Sequence, residues 1–162
     1  MIDPNLFRDV LGSYPTGVCV ITSIDGAGAR TGLVVGSFTS ISLDPPLVGF
    51  FPDKGSKSWP RIAESGRFCV NVLGSGQIDL CRRFASRLPD KFEDLAHGNS
   101  PAGLPLLDDA LAWIDCVIER VVDIGDHFLV VGLVEDLGRK QQGNPLLFFR
   151  GGYHDLAELS GS

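Results

Sequence analysis

The chain has no apolar run longer than a strand: the longest, such as Phe128 to Val134, is far too short to span a bilayer. Its opening, Met1-Ile2-Asp3-Pro4-Asn5-Leu6-Phe7-Arg8, lacks a basic region followed by an apolar core, so no secretory leader is expected and the expected location is the cytoplasm. Positive charge is scarce. Lys and Arg number 14 against 20 Asp and Glu, a net charge of −6, which argues against nucleic acid as a partner. The 4 cysteines, Cys19, Cys69, Cys81 and Cys116, form no C-x-x-C pair. His97, His127 and His154 stand too far apart for ligand spacing, so no metal site is expected. There is no G-x-S-x-G elbow, no H-E-x-x-H and no G-x-x-x-x-G-K-[ST] loop, and Gly26-Ala27-Gly28 lacks the third glycine of a dinucleotide fingerprint. Serine hydrolases, zincins and P-loop enzymes are thereby excluded.

What remains is a 162-residue chain, 44% hydrophobic and 21% charged, long enough to bury a core without disulfides and expected to form one domain over 1–162. Its 20 Gly and 10 Pro mark many turns, and so many strands. Asp3-Pro4 caps a short helix that ends near Gly12, with Leu6, Phe7, Val10 and Leu11 at helical spacing. The β-branched run Val18 to Ser23 is a buried strand, and Asp25 to Arg30 a hairpin loop. Thr31 to Phe38 is the return strand, thinned by glycines that invite close approach by a ligand or backbone. Ser40 to Leu43 and Leu47 to Phe51 flank Asp44-Pro45-Pro46. A serine-capped helix starts at Trp59, a strand runs from Arg67 to Leu73, and a second short helix from Gln77 to Phe84. Pro89 to Pro105 is expected to wander on the surface, as a functional cover or a mobile insertion. Ile114 to Val122 and His127 to Asp136 form a long hairpin, and Leu146 to Arg150 closes the sheet. The economical architecture is a mainly β, closed or nearly closed antiparallel barrel with a few short helices.

Three stretches offer chemistry. Thr31 to Ser42 presents backbone amides and hydroxyls along a thin strand; the plainer alternative is an ordinary exposed hydroxyl face. Gly55-Ser56-Lys57-Ser58 at a helix start gathers free N–H groups, two hydroxyls and an ammonium, a set that suits one phosphate, or else merely caps the helix. Gly125-Asp126-His127 places an imidazole on a hairpin turn, where a local hydrogen bond to the aspartate is the simpler reading.

Taken as ordered blocks, the sequence resembles the short flavin reductases that serve two-component flavin-dependent monooxygenases. The resemblance runs from Phe7 to Tyr153 and rests on Pro15-Thr16-Gly17-Val18, Ser37-Phe38-Thr39-Ser40-Ile41-Ser42-Leu43-Asp44-Pro45-Pro46, Ser56-Lys57-Ser58-Trp59, Arg83-Phe84-Ala85, Gly125-Asp126-His127 and Pro145 to Tyr153. It implies a Greek-key split β-barrel of the FMN-binding type. It implies that flavin lies along Thr31, Gly32, Leu33, Val34, Val35, Ser37 and Phe38, with its phosphate at Ser56, Lys57 and Ser58 and its ribityl side near Phe84, Ala85, Ser86 and Arg87. Val35-Gly36 departs from the small polar or sulfur-bearing residues frequent in relatives, so contacts there fall to the backbone. His127 and Tyr153 match positions beside the nicotinamide, His127 as the catalytic, orienting residue. The implied chemistry is hydride transfer from NADH or NADPH to FMN or FAD. The implied partners are a second copy of the chain and a separate monooxygenase. A flavin-binding carrier or sensor without turnover remains open as the alternative, and less so a related barrel acting on another small molecule or a purely structural domain.

Overall fold

The structure, a computed structural model, describes residues 1–160; the last two positions of the unit expected over 1–162 lie outside the described residues. Helix α1 (Pro4–Leu11) begins where the Asp3 carboxylate accepts the Asn5 N–H at 3.0 Å. The strands that follow are β1 (Thr16–Gly17), β2 (Cys19–Ile24), β3 (Arg30–Val35), β4 (Thr39–Ser42) and β5 (Leu47–Phe50). Then come α2 (Trp59–Ser65), β6 (Arg67–Val72), α3 (Ile78–Ala85), β7 (His97–Asn99), β8 (Pro105–Leu107), β9 (Ala112–Ile124) and β10 (His127–Arg139). Strands β11 (Leu147–Phe149) and β12 (Gly152–His154) end the described chain.

Seven strands form one antiparallel sheet in the order β3-β2-β6-β9-β10-β5-β4. Its two edge strands, β3 and β4, are consecutive in sequence, and residues 36–38 carry the chain from one edge to the other. The sheet therefore curls into a barrel that stays split where β3 and β4 fail to pair, as the resemblance implied. Inside it, Cys19 and Ile21 of β2 meet Val35, Phe50, Phe68 and Val130. The Phe50 ring stands edge-on to Phe68 at 5.1 Å and to Trp59 at 6.0 Å, geometry that aligns ring edges with π faces. Val18 and Val20 point the other way, into a second core with Leu73, Cys81, Phe84, Phe92, Leu107 and Leu146. Two covered faces explain why the run from Val18 is apolar throughout instead of alternating.

Three expectations need correction. The segment after Leu146 does not close the main sheet: β11 lies between β1 and β12, with Thr16 opposite Phe148 and Phe148 opposite Tyr153. The β-strand expected over Thr31 to Phe38 stops at Val35, because the next three residues must cross the split. The Pro89 to Pro105 stretch is largely exposed, as expected, but it does not wander. Phe92 and Leu104 are each only 6% exposed, and β7 pairs with β8 as a ribbon laid over the sheet. Buried polar groups fasten that ribbon: Thr22 donates to the Pro105 carbonyl at 2.6 Å, and the Asn71 side chain accepts the Leu107 N–H at 2.9 Å.

The turn joining β11 to β12 is also unusual. Arg150 and Gly151 both have positive φ, 50° and 76°, the mirror-image two-residue hairpin that favours Asn-Gly. An L-residue with a Cβ pays about 1–2 kcal/mol to sit there.

All four cysteines are buried and unpaired. Burial pushes the Cys19 and Cys116 thiols up to about 12, and burial followed by the nearby Asp115 carboxylate raises Cys69 as well. The thiolate is the reactive form, so native protein at pH 8 is expected to take up no aromatic disulfide reagent over minutes, and all four thiols should react at once in denaturant. Rapid labelling of the folded chain would contradict this packing.

Candidate functional site

The split is where the molecule leaves backbone groups free. Among the described residues, the N–H and C=O groups of 36–38 enter no backbone hydrogen bond, and β3 has a partner on one side only. The crossing is nevertheless held in place. The Phe51 N–H donates to Ser37 Oγ at 3.0 Å, so the hydroxyl ties the crossing to the chain beyond β5. On the other flank, a Cβ on Gly36 would lie 2.9 Å from Thr16 Oγ1, so the absence of a side chain lets β1 come close. Deeper in β3, a Cβ on Gly32 would stand 2.5 Å from the Phe84 ring, which is why α3 can press flat against this strand. Thr31 Oγ1 is buried with no hydrogen-bond partner. Leu33 and Phe38 pack against the barrel core and Val34 against the second core, so along β3 and the crossing it is the backbone that is left to face a ligand.

Beyond Phe51 the chain turns through 52–58. Asp53 Oδ1 accepts the Gly55 N–H at 2.6 Å, and the Ser56 N–H donates to the Asp53 carbonyl at 3.0 Å. Two of the amides expected to be free for an anion are thus already spoken for, leaving those of Lys57 and Ser58. The serine cap of α2 comes from Ser56, whose Oγ accepts the Trp59 N–H at 3.1 Å; Ser58 makes no capping bond. Lys57 is exposed, whereas Lys54 pairs with Asp123 and lies 5.3 Å over the Phe128 ring.

His127 joins this loop. The Phe128 N–H donates to the Pro52 carbonyl and the Lys54 N–H to the Asp126 carbonyl, both at 3.0 Å, so the β9–β10 turn and the 52–58 loop form one unit. The imidazole Nδ1 lies 2.7 Å from Asp126 Oδ1 and Nε2 lies 4.0 Å from Asp53 Oδ2. That hydrogen bond, then the imidazole's charge, hold the Asp126 carboxyl below the usual carboxylate range. The local pairing foreseen for this turn is present, and it fixes the ring rather than spending it.

Tyr153 arrives by a separate route. Its ring lies 5.5 Å from Phe148, the neighbour of Thr16, and the Arg82 guanidinium stands 5.8 Å over it. The Cys81 thiol donates to its hydroxyl at 3.4 Å, and this contact first, then burial, raises the phenol above its ordinary value. The structure does not bring Tyr153 and His127 into contact; each reaches the 36–38 crossing through other residues. At the end of α3 the Phe84 ring is a core side chain, 1% exposed and edge-on to Phe92, so its ring is closed to a ligand. Ser86 Oγ donates to the Arg83 carbonyl at 2.6 Å, while Ala85 and Arg87 are exposed. Thr16, Phe51, Asp53 and Arg82 were not singled out from sequence. Only Thr16, inside the Pro-Thr-Gly turn, carried a local signal.

The flavin reductase like domain family matches residues 11–157. A flavin reductase of Pseudomonas putida is 50% identical over 158 residues, covering 98% of this chain and 93% of that protein. The HsaB reductase subunit of a flavin-dependent monooxygenase of Rhodococcus jostii is 50% identical, covering 94% and 77%. The NADH-dependent flavin reductase StyB of Pseudomonas fluorescens is 37% identical, covering 94% and 90%. Among solved structures, nitrilotriacetate monooxygenase component B of Mycobacterium thermoresistibile superposes with a TM-score of 0.90 at 46% identity, covering 94% and 86%.

Proposed function

The chain belongs to the flavin reductase like domain family, and from that premise we propose that it is an NAD(P)H:flavin oxidoreductase that supplies reduced FMN or FAD to a separate monooxygenase component. NADH is the favoured donor. The observation that carries the site assignment is the crossing at 36–38, a fixed strip of unpaired backbone donors and acceptors, which fits the heteroatom edge of a flavin ring. Bound flavin supplies the redox chemistry, accepting hydride from the nicotinamide.

The protein's part is placement. Thr31, Gly32, Leu33, Val34 and Val35 with Ser37 and Phe38 offer the ring their backbone edge, because Phe84 and Thr16 fill the space a side chain would take at Gly32 and Gly36 while Leu33, Val34 and Phe38 pack into the cores. The amides of Lys57 and Ser58, the Ser56 and Ser58 hydroxyls and the Lys57 ammonium meet the phosphate, with Arg87, Ser86 and Ala85 beside the ribityl chain. Phe84 acts from beneath by setting the distance between α3 and β3. His127, oriented by Asp126, stands at the nicotinamide side and holds no proton that the reaction needs; Tyr153 borders the same space. Stacking two rings at near-attack distance accounts for a site without an acid–base pair or nucleophile.

The reading extends to location and assembly. Among the described residues no helix is long and apolar enough to cross a membrane, and the cytoplasm is the proposed location. Leu6, Phe7, Val10 and Leu11 form an apolar face of α1 that is more than half exposed at every position, and a second copy of the chain is the partner proposed to cover it. Purified protein should oxidise NADH only when FMN or FAD is added. His127→Ala and Tyr153→Leu should each raise KM for NADH about tenfold with little change in flavin Kd. Flavin binding without NADH oxidation would leave a carrier instead, and no flavin dependence with either nucleotide would remove the assignment altogether.

A further inference from the structure

A concavity of about 480 Å³ lies between the end of α1 and the β11–β12 turn, lined in part by Arg8, Asp9, Gly12, Arg150 and Gly151. Its two sides are joined: the Arg150 N–H donates to the Gly12 carbonyl at 3.0 Å. Gly12 is tightly placed, since a Cβ there would lie 3.1 Å from the Arg8 carbonyl and 3.7 Å from Arg150 Cα. The helix end and the turn are thereby held together, and two arginines and a single acidic residue, Asp9, line one hollow.

Arg150 is the wrong residue for the turn it occupies. At φ 50° the position favours asparagine or glycine, so an arginine there breaks a local rule without helping the hairpin close. Such exceptions collect where a side chain is needed for something other than folding. Among the described residues neither Arg8 nor Arg150 pairs with a carboxylate; Arg150 only rests over the Phe149 ring at 5.0 Å. A guanidinium fork matches two phosphate oxygens at once, and two forks match a diphosphate better than a single phosphate.

The hollow lies close to the proposed ring site. Thr16 packs beside Gly36, where a Cβ would lie 2.9 Å from its hydroxyl, and sits opposite Phe148 of β11, the strand that leads directly into the turn at Arg150. We propose that Arg8 and Arg150 bind the diphosphate of a dinucleotide whose ring end lies at the 36–38 crossing. This rests on the flavin reductase reading and adds to it a site for the linker, apart from the phosphate contact at 56–58. The dinucleotide is the nicotinamide one, because the diphosphate of FAD includes the flavin-side phosphate already assigned to 56–58.

The test is equilibrium binding by calorimetry on the full chain, comparing NAD with nicotinamide mononucleotide and FAD with FMN. Arg150→Asn suits the turn better than the native residue and should not lower Tm, so a binding loss cannot be blamed on misfolding; Arg8→Gln probes the other side. Each variant should weaken NAD about tenfold and nicotinamide mononucleotide, FAD and FMN hardly at all. A loss confined to FAD would overturn the assignment, since it would put the flavin's own diphosphate in this hollow. Unchanged binding, or an equal loss for mono- and dinucleotides, would also overturn it. Flavin-dependent NADH oxidation by the unaltered protein is scored separately, so failure of the enzymatic reading is distinguishable from failure of this one.

Discussion

Asn71→Ala is expected to cost about 2–4 kcal/mol of stability, a large share of the 5–15 kcal/mol of a typical domain. The side chain is fully buried. Its amide donates to the Val20 carbonyl at 3.2 Å and to Thr22 Oγ1 at 3.1 Å, and its oxygen accepts the Leu107 N–H at 2.9 Å. Alanine leaves that N–H buried and unmet, and the β7–β8 ribbon loses a fastening to the sheet. Asn71→Asp should be no milder, although it keeps the acceptor for Leu107, because the second carboxylate oxygen would face the Val20 carbonyl in place of a donor. Urea denaturation reads the effect directly. A midpoint unchanged within error would mean that the ribbon is held by Phe92, Leu104 and Leu107 alone.

Gly32→Val should act on stability and chemistry together. The added Cβ meets the Phe84 ring at 2.5 Å, and that ring cannot swing away because Phe92 is packed edge-on to it at 5.2 Å. Overpacking of this kind costs roughly 1–3 kcal/mol. The strain is relieved by lifting α3 off β3, which carries Ala85, Ser86 and Arg87 away from the crossing, and a displacement near 1 Å at a hydride-transfer site costs on the order of a hundredfold in kcat/KM. Adding Phe84→Leu to the same chain should recover part of both losses. If activity falls with flavin Kd and Tm unchanged, the coupling through Phe84 is wrong.

The dense β-branched run of β2, the short apolar run of β5 set off by Asp44-Pro45-Pro46, and the two short helices after them were legible because their local pattern admits one reading. Phe92 and Leu104 were not, since single apolar residues among Pro, Asp and Gly carry no period, and only the packed structure shows that they plug the second core. The end of β3 was misplaced for a similar reason: Gly36-Ser37-Phe38 has strand composition, and what stops the strand is the need to reach the opposite edge. At the site, the glycines at 32 and 36 were visible in the sequence, but that Phe84 and Thr16 fill the space beside them was not, and the Asp53 hydrogen bonds that consume the Gly55 and Ser56 amides come from a loop fold that no spacing announces. Arg8 and Arg150 lie 142 positions apart in the chain and line one hollow because Gly12 lets a turn dock on a helix end.

The strand order has a consequence for how the chain comes to be folded. In β3-β2-β6-β9-β10-β5-β4, the hairpin of residues 112–139 is the piece that joins the β2–β3–β6 half to the β4–β5 half. A ribosome that has released only the first hundred residues has made both halves, tied by the 36–38 crossing, but neither of the strands that pair them. Phe50 and Phe68 then face water until the long hairpin emerges. Closure is therefore a late event dominated by contacts between distant parts of the chain, the regime of slow folding in which nascent edges meet other chains before their own partners arrive.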